Sequence, residues 1–213
     1  MQELREVQPG ITAIFDCCGR KSGVGKSETL RTLSFLSDFS QSEFSDRLSC
    51  MSGSEFLTGR YDIIRVSIAY QNAPVVLVGT HAGLAIGKDG VTQMGLEDVS
   101  IMRALPNMVV LNPASYSEAI KVIEYLCDTE LESPHYLRLG RQPVEDIEID
   151  FEFGKGQIVN DGDDITLFST GCILSDVIEA SNIIEKNTSY SVRVVNITTL
   201  KPIDEEIIIS ERL

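Results

Sequence analysis

VVLVGTHAGLAIGKDGVTQMGLEDVSIMRALPNMVVLNP, residues Val75 to Pro113, is the stretch that decides the fold. Its first four residues, Val75-Val76-Leu77-Val78, form an apolar run rich in β-branched side chains. That is the pattern of a strand buried on both faces of a parallel sheet. The run stops at Gly79-Thr80-His81, and two glycine-containing turns follow, Ala82-Gly83 and Lys88-Asp89-Gly90. Leu96, Val99, Ile101, Met102 and Leu105 then recur mostly at three- and four-residue spacing, which predicts a helix ended by Pro106-Asn107. Met108-Val109-Val110-Leu111 is a second apolar strand, closed by Asn112-Pro113. Ligands of open α/β sheets bind at the carboxyl ends of the strands. A site is therefore expected around His81, Asp89, Thr92 and Gln93.

Downstream, Ser115 to Cys127 is an amphipathic helix with Ala119, Val122, Ile123 and Leu126 on its apolar stripe. Ser115 is its expected N-cap, with Glu118 as the capping-box partner. Tyr136-Leu137-Arg138-Leu139 is the next strand, followed by Arg141. The acidic, alternating EDIEIDFE (145–152) is an edge strand or an interdomain linker. Gly154 to Val159 opens a second domain. In it Ile165 to Ser169 is expected to be a buried strand, Ser175 to Ile184 a helix and Ser191 to Asn196 another strand. Lys201-Pro202-Ile203-Asp204 leads into Glu205 to Ile209, and the second sheet is expected to keep an exposed edge.

Upstream, Ile11 to Phe15 reads as a first strand running into the loop Gly19-Arg20-Lys21-Ser22-Gly23-Val24-Gly25-Lys26-Ser27. Strand, glycine-rich loop and Gly-Lys-Ser suggest a phosphate-binding P-loop. The spacing does not fit, because Arg20 stands where the motif needs glycine. Glu28 to Gly53 is crowded with serine, phenylalanine and aspartate, and only Phe35, Leu36 and Phe39 could form an apolar helical face.

The chain has 213 residues, 43% of them hydrophobic, and a formal net charge of −14 from 32 acidic and 18 basic residues. Length allows one full domain and part of another. The charge argues against nucleic-acid binding and against anionic membranes, and no apolar run is long enough to span a bilayer. The N-terminal MQELREVQPG lacks the apolar core of a signal peptide. The five cysteines, Cys17, Cys18, Cys50, Cys127 and Cys172, form no Cys-x-x-Cys pair. Reduced thiols in a cytoplasmic protein follow, with Cys127 and Cys172 as small buried hydrophobes. No metal-ligand cluster is apparent.

The pieces GTHAG (79–83), GKDG (87–90), LED (96–98), MRALPNM (102–108) and Pro113-Ala114-Ser115 resemble, in order, the pyrimidine-binding domain of the transketolase family. Tyr136 to Gln142 resembles the family's R-L-x-R-Q. Asp161 to Leu167, Val194 to Asn196 and Leu200 to Asp204 resemble its C-terminal domain. The resemblance implies an α/β fold: a three-layer, parallel-sheet pyrimidine-binding domain over 1–147, atypical at 28–53, and a partial, truncated α/β C-terminal domain over 154–213. It implies thiamine diphosphate as cofactor, with its magnesium held by a separate diphosphate-binding (N-terminal) subunit, and a homo-oligomer inactive without that subunit. The implied reaction moves a two-carbon ketol unit between phosphosugars.

The same resemblance assigns residues. Phe56, in a segment similar to the family's F-x-x-R-A-Y-D-Q-I-R helix, matches the ring that stacks on the pyrimidine, or is a core phenylalanine. In that helix Asp62 and Arg65 are expected to pair on the surface, with Ile64, Ile68 and Ala69 inward. His81 matches a site histidine near the reacting carbons. Asp89 binds a sugar hydroxyl or holds its Asp-Gly turn. Gln93 stands where the family has histidine, so it can hydrogen-bond but not titrate. Arg141 matches the arginine that holds the substrate phosphate. The family's I-[AS]-E-Q-N motif, with the glutamate that activates the cofactor, and the helix and apolar strand after it are not found in 28–53. A catalytically silent module of the same fold and a 1-deoxyxylulose-5-phosphate synthase-like subunit are the alternatives to a transketolase subunit.

Overall fold

Apolar residues alternate in facing along the central strands, and both faces are covered. In the computed structural model, which describes residues 48–51, 61–91 and 94–210, the first sheet holds β1 (Leu48–Met51), β2 (Val76–Ala82), β3 (Val109–Leu111), β4 (His135–Gly140) and β8 (Thr199–Lys201). Their order is β1-β2-β4-β3-β8. The first four run parallel, and β8 joins antiparallel, with Val110 opposite Lys201. Val76, Val78, Val109, Leu111, Leu137 and Leu139 point to one face. There Ala119, Val122, Ile123 and Leu126 of helix α3 (Tyr116–Asp128) meet them. Leu77, Val110 and Tyr136 point to the other face, against α1 (Tyr61–Ile63, continued as a π-helical Ile64–Ala69) and α2 (Asp98–Ala104). This is the three-layer, parallel-sheet domain that the resemblance implies, with β8 added as an antiparallel strand.

Tyr136 is fully buried on β4 beside its parallel neighbour β2, and glycine at 79 makes room for its ring. A Cβ at Gly79 would lie 2.8 Å from Tyr136 Cε2 and closer still to the hydroxyl. Gly79→Ala is therefore expected to cost about 1–3 kcal/mol. A thermal melt unchanged by the substitution would show that Tyr136 can move.

The second sheet has the order β5-β7-β6, built from β5 (Gln157–Asn160), β6 (Ile165–Ser169) and β7 (Val192–Asn196). Helix α4 (Leu174–Asn187) packs Leu174, Val177 and Ile178 against Val194, Val159 and Ile149. The helix α5 (Glu205–Ser210) follows the cis Lys201-Pro202 peptide. Val195, Ile197 and Leu200 extend the core under α1 and α2. Lys201 Nζ donates to the carbonyls of Arg103 and Leu105, at the C-terminal end of α2, where a cation complements the helix end.

Several expectations are corrected. β6 is not a buried strand: only Ser169 is buried, and Phe168 is 45% exposed. It pairs with β7 alone among the described strands, so one side stays open. The acidic stretch 145–152 is the linker and not an edge strand, because its backbone is already tied to α3. Ser115 Oγ donates to Ile147 O and Lys121 Nζ to Ile149 O, while Asp146 accepts from Ser117 N–H and Oγ–H. A strand does lie in the serine-rich region, since Leu48–Met51 pairs in register with Val76–Gly79. Helix α4 begins one residue early and runs on to Asn187. Asp62 and Arg65 do pair on the surface at 3.3 Å, and Ile64 and Ala69 are buried. The early strand, the Gly19–Ser27 loop and Cys17 and Cys18 lie outside the described residues.

Candidate functional site

β2 gains one residue on β4 just before its end: Gly79 pairs with Arg138 and Ala82 with Gly140. Three steps on one strand against two on the other make a bulge, which re-aims the side chain it carries. That side chain is His81, held at φ 57°. A non-glycine residue in this left-handed region is strained, and such strain clusters at functional sites. Thr80 Oγ1 lies 2.8 Å from His81 Nδ1 and orients the ring.

The chain then turns through Gly83 into a 3-10 segment, Leu84–Asp89. Gly83 N–H donates to Gly95 O, and Ala82 bridges Gly95, so both ends of the loop are clamped to the end of β2. Asp89 comes back over the end of β4, where its Oδ2 accepts from Arg141 Nη1 at 2.8 Å. The same nitrogen donates to Ile86 O at 3.3 Å. Burial and the neighbouring Arg141 charge hold the His81 imidazole below its ordinary pKa, with Asp89 opposing them. His81 is thus a neutral hydrogen-bonding group near pH 7. The structure brings together His81, Asp89 and Arg141 from three different segments, at the carboxyl ends of β2 and β4. Phe56, Thr92 and Gln93 lie outside the described residues.

Beneath the loop is an ion pair that sequence reasoning missed. Asp98, fully buried at the start of α2, accepts from Tyr136 OH at 2.7 Å and Arg138 Nε at 2.8 Å. Arg138 Nη2 reaches on to Gly95 O at 3.5 Å. The LED piece contained Asp98, but nothing in its local pattern marks it as buried.

Glu118 is only half a capping-box partner. Ser115 Oγ does accept from Glu118 N–H, as an N-cap should. The Glu118 carboxylate, however, reaches past Ser115 to Ala114 N–H at 2.6 Å, and into the second domain. There it accepts from Thr198 Oγ–H and, at 2.9 Å, from Asn196 Nδ2. Burial pushes its pKa up against those donors.

The two fully buried carboxylates among the described residues are therefore both engaged in structural bonding. Asp98 is taken up by Tyr136 and Arg138, and Glu118 by Ala114, Asn196 and Thr198. Pro113, Ser115, Gly140, Gln142 and Cys172 help line a cavity of about 50 Å³, room for a few waters and no ring. Cys127 and Cys172 are half-buried. Burial first, and Asp128 and Glu124 second, push the Cys127 thiol up to about 11, which leaves it unreactive at neutral pH. Among the described residues no helix is long and apolar enough to cross a membrane.

Residues 46–146 match the family model described as transketolase, pyrimidine binding domain. Residues 154–212 match transketolase, C-terminal domain. A Methanocaldococcus jannaschii protein whose name designates a transketolase C-terminal section is 42% identical over 161 residues, covering 73% of this chain and 50% of that protein. The 1-deoxy-D-xylulose-5-phosphate synthase of Caldanaerobacter subterraneus is 32% identical over 160 residues, 73% of this chain and 25% of the enzyme. Among solved structures, a split-gene transketolase described as an inactive β4 tetramer superposes with a TM-score of 0.68 at 33% identity. That match covers 77% of this chain and 53% of the other. The chain thus spans half or less of the curated relatives it is compared with.

Proposed function

The chain belongs to the transketolase family, and from that membership we propose that it is the C-terminal section of a split transketolase, acting with a separate diphosphate-binding subunit. The observation that carries this reading is the convergence of His81, Asp89 and Arg141 at the carboxyl ends of β2 and β4. These are the groups a phosphosugar needs. A planar guanidinium takes a phosphate bidentately. A carboxylate and a neutral imidazole hydrogen-bond hydroxyls and a carbonyl.

In this reading the reaction is transfer of a two-carbon ketol unit between phosphosugars. Thiamine diphosphate, when bound between subunits, supplies the nucleophile, and its magnesium is the partner's. This chain binds and orients the sugar. The pyrimidine-binding domain, 1–147, and the C-terminal domain, 154–213, are the functional units, with Phe56 and Gln93 in the site. Homo-oligomerisation and cytoplasmic residence belong to the same reading. The description of the split-gene transketolase as an inactive β4 tetramer supports the expectation that this chain alone does not turn over substrate.

Reconstitution tests it. The chain is mixed with a candidate diphosphate-binding subunit, thiamine diphosphate and magnesium, and ketol transfer is followed in a coupled assay. Activity is expected only in the mixture, with Arg141→Ala raising the phosphosugar KM by about tenfold or more. Cofactor binding by the mixture with no transfer of any kind would overturn the enzyme reading in favour of a silent module. Condensation of pyruvate instead of ketol transfer would move the chain to the 1-deoxyxylulose-5-phosphate synthase type.

A further inference from the structure

Asp89 sits on the very group that the reading above gives to the substrate phosphate. Arg141 Nη1 donates to Asp89 Oδ2 at 2.8 Å, yet the two side chains are 43% and 52% exposed. An ion pair this open to water is weakly held. A phosphate brings about two negative charges and three acceptor oxygens to the same planar guanidinium. The turn that carries Asp89 has open space around it and is closed by one backbone bond, Gly90 N–H to Gly87 O at 3.1 Å. Gly87 (φ 61°, ψ −106°) and Gly90 (φ 83°) bracket Asp89 in conformations that favour glycine, and a Cβ at either would meet nothing within 4 Å. The Asp89 side chain is itself 52% exposed, and Arg141 is its ion-pair partner.

We propose that Asp89 is an internal placeholder for the substrate phosphate. Phosphate arriving at Arg141 displaces the carboxylate, the loop pivots at Gly87 and Gly90, and the freed Asp89 accepts from a sugar hydroxyl. Phosphate capture and hydroxyl recognition are then one linked event. An unphosphorylated sugar would find Asp89 still occupied. This rests on the assignment of Arg141 to phosphate, and the test separates the two ideas.

His81 reports the exchange, because Arg141 depresses its pKa and Asp89 opposes that effect. The chain has two histidines. The other, His135, is buried beside Ser133 O and the rings of Tyr125 and Phe153, and serves as an internal control.

Inorganic phosphate is titrated into the full chain at constant ionic strength. Affinity is followed by calorimetry and both imidazoles by NMR, for the wild type, Asp89→Asn and Arg141→Ala. Arg141→Ala is expected to abolish binding, and Asp89→Asn to tighten it by about three- to tenfold, since it removes the competing carboxylate. In the wild type, saturating phosphate is expected to raise the His81 pKa and leave His135 unmoved. Arg141-dependent binding that Asp89→Asn leaves equal or weaker would overturn the placeholder while the phosphate assignment stands. No Arg141-dependent binding in either the wild type or Asp89→Asn would overturn both.

Discussion

Glu118→Ala is expected to lower the unfolding free energy by about 3 kcal/mol, because the carboxylate takes donors from both halves of the chain. Its removal takes the acceptor from the Ala114 N–H and from the Thr198 O–H, and leaves Asn196 Nδ2 with only Thr198 Oγ1. A buried donor left without its acceptor costs about 1–3 kcal/mol. The relief of no longer burying a carboxyl offsets part of the sum. With no tryptophan in the chain, urea unfolding is best followed by circular dichroism. A loss below about 0.5 kcal/mol would mean that burial cost and hydrogen bonds cancel.

The same residue sets a pH dependence with a definite sign. Burial raises the Glu118 pKa in the folded state, so between the unfolded value, about 4.3, and the folded one the native state binds the proton more tightly. The contribution of this group to stability therefore falls as pH rises through that window and is flat above it. Glu118→Gln keeps the shape but cannot titrate. Its unfolding free energy should lack this slope, and a slope equal to the wild type's would assign it to other groups.

Asp98→Ala should be at least as damaging, at about 3–5 kcal/mol. Arg138 is only 16% exposed, and losing Asp98 leaves its charge uncompensated. It also takes the Asp98 acceptor away from the hydroxyl of buried Tyr136. Asp98 itself is imperfectly satisfied, since Oδ1 has no partner among the described residues. Replacing both ends of a buried pair by apolar groups is often nearly neutral, so Asp98→Leu combined with Arg138→Met should recover most of the loss. Thermal melts of the single and double variants check this. A double variant as unstable as Asp98→Ala would mean that packing, and not stranded charge, carries the cost. Because Arg138 also reaches Gly95 O, Asp98→Ala should speed amide exchange at Gly83, whose N–H is bonded to that carbonyl.

The parts of the fold legible in the sequence are those with a local physical signature. Val75–Val78 and Met108–Leu111 are apolar runs because both faces of their sheet are covered, and Tyr136–Leu139 breaks that pattern only at Arg138. The Ala119-Val122-Ile123-Leu126 stripe shows which side of α3 is buried. Ser115 is recognisable as a cap from its own chemistry. Of the proposed site, His81 and Asp89 stand out because strand ends and glycine turns are visible in a sequence, and Arg141 stands out through the family resemblance of its segment. What escaped is long-range. The bulge at His81 exists only in the pairing of β2 with β4. Asp98 and Glu118 look like ordinary helix-start acids until Arg138, Asn196 and Thr198 arrive from distant segments. Thr199–Lys201 carries no sign that it will leave its own sheet for the other one. Ile165 to Phe168 is as apolar as a central strand, yet only one neighbour claims it.

β8 also bears on the chain's history at the ribosome. Its pairing of Lys201 with Val110 fills the last place in the first sheet with a segment made long after the other four strands. Until it emerges, the outer edge of β3 is an open template, and Lys201 is not yet there to cap α2. Nascent chains that stall or are clipped before residue 199 should therefore present an apolar, unpaired strand and favour misassociation. Folding to the native state should be paced by this late, distant contact and not by the helices and strands that form first.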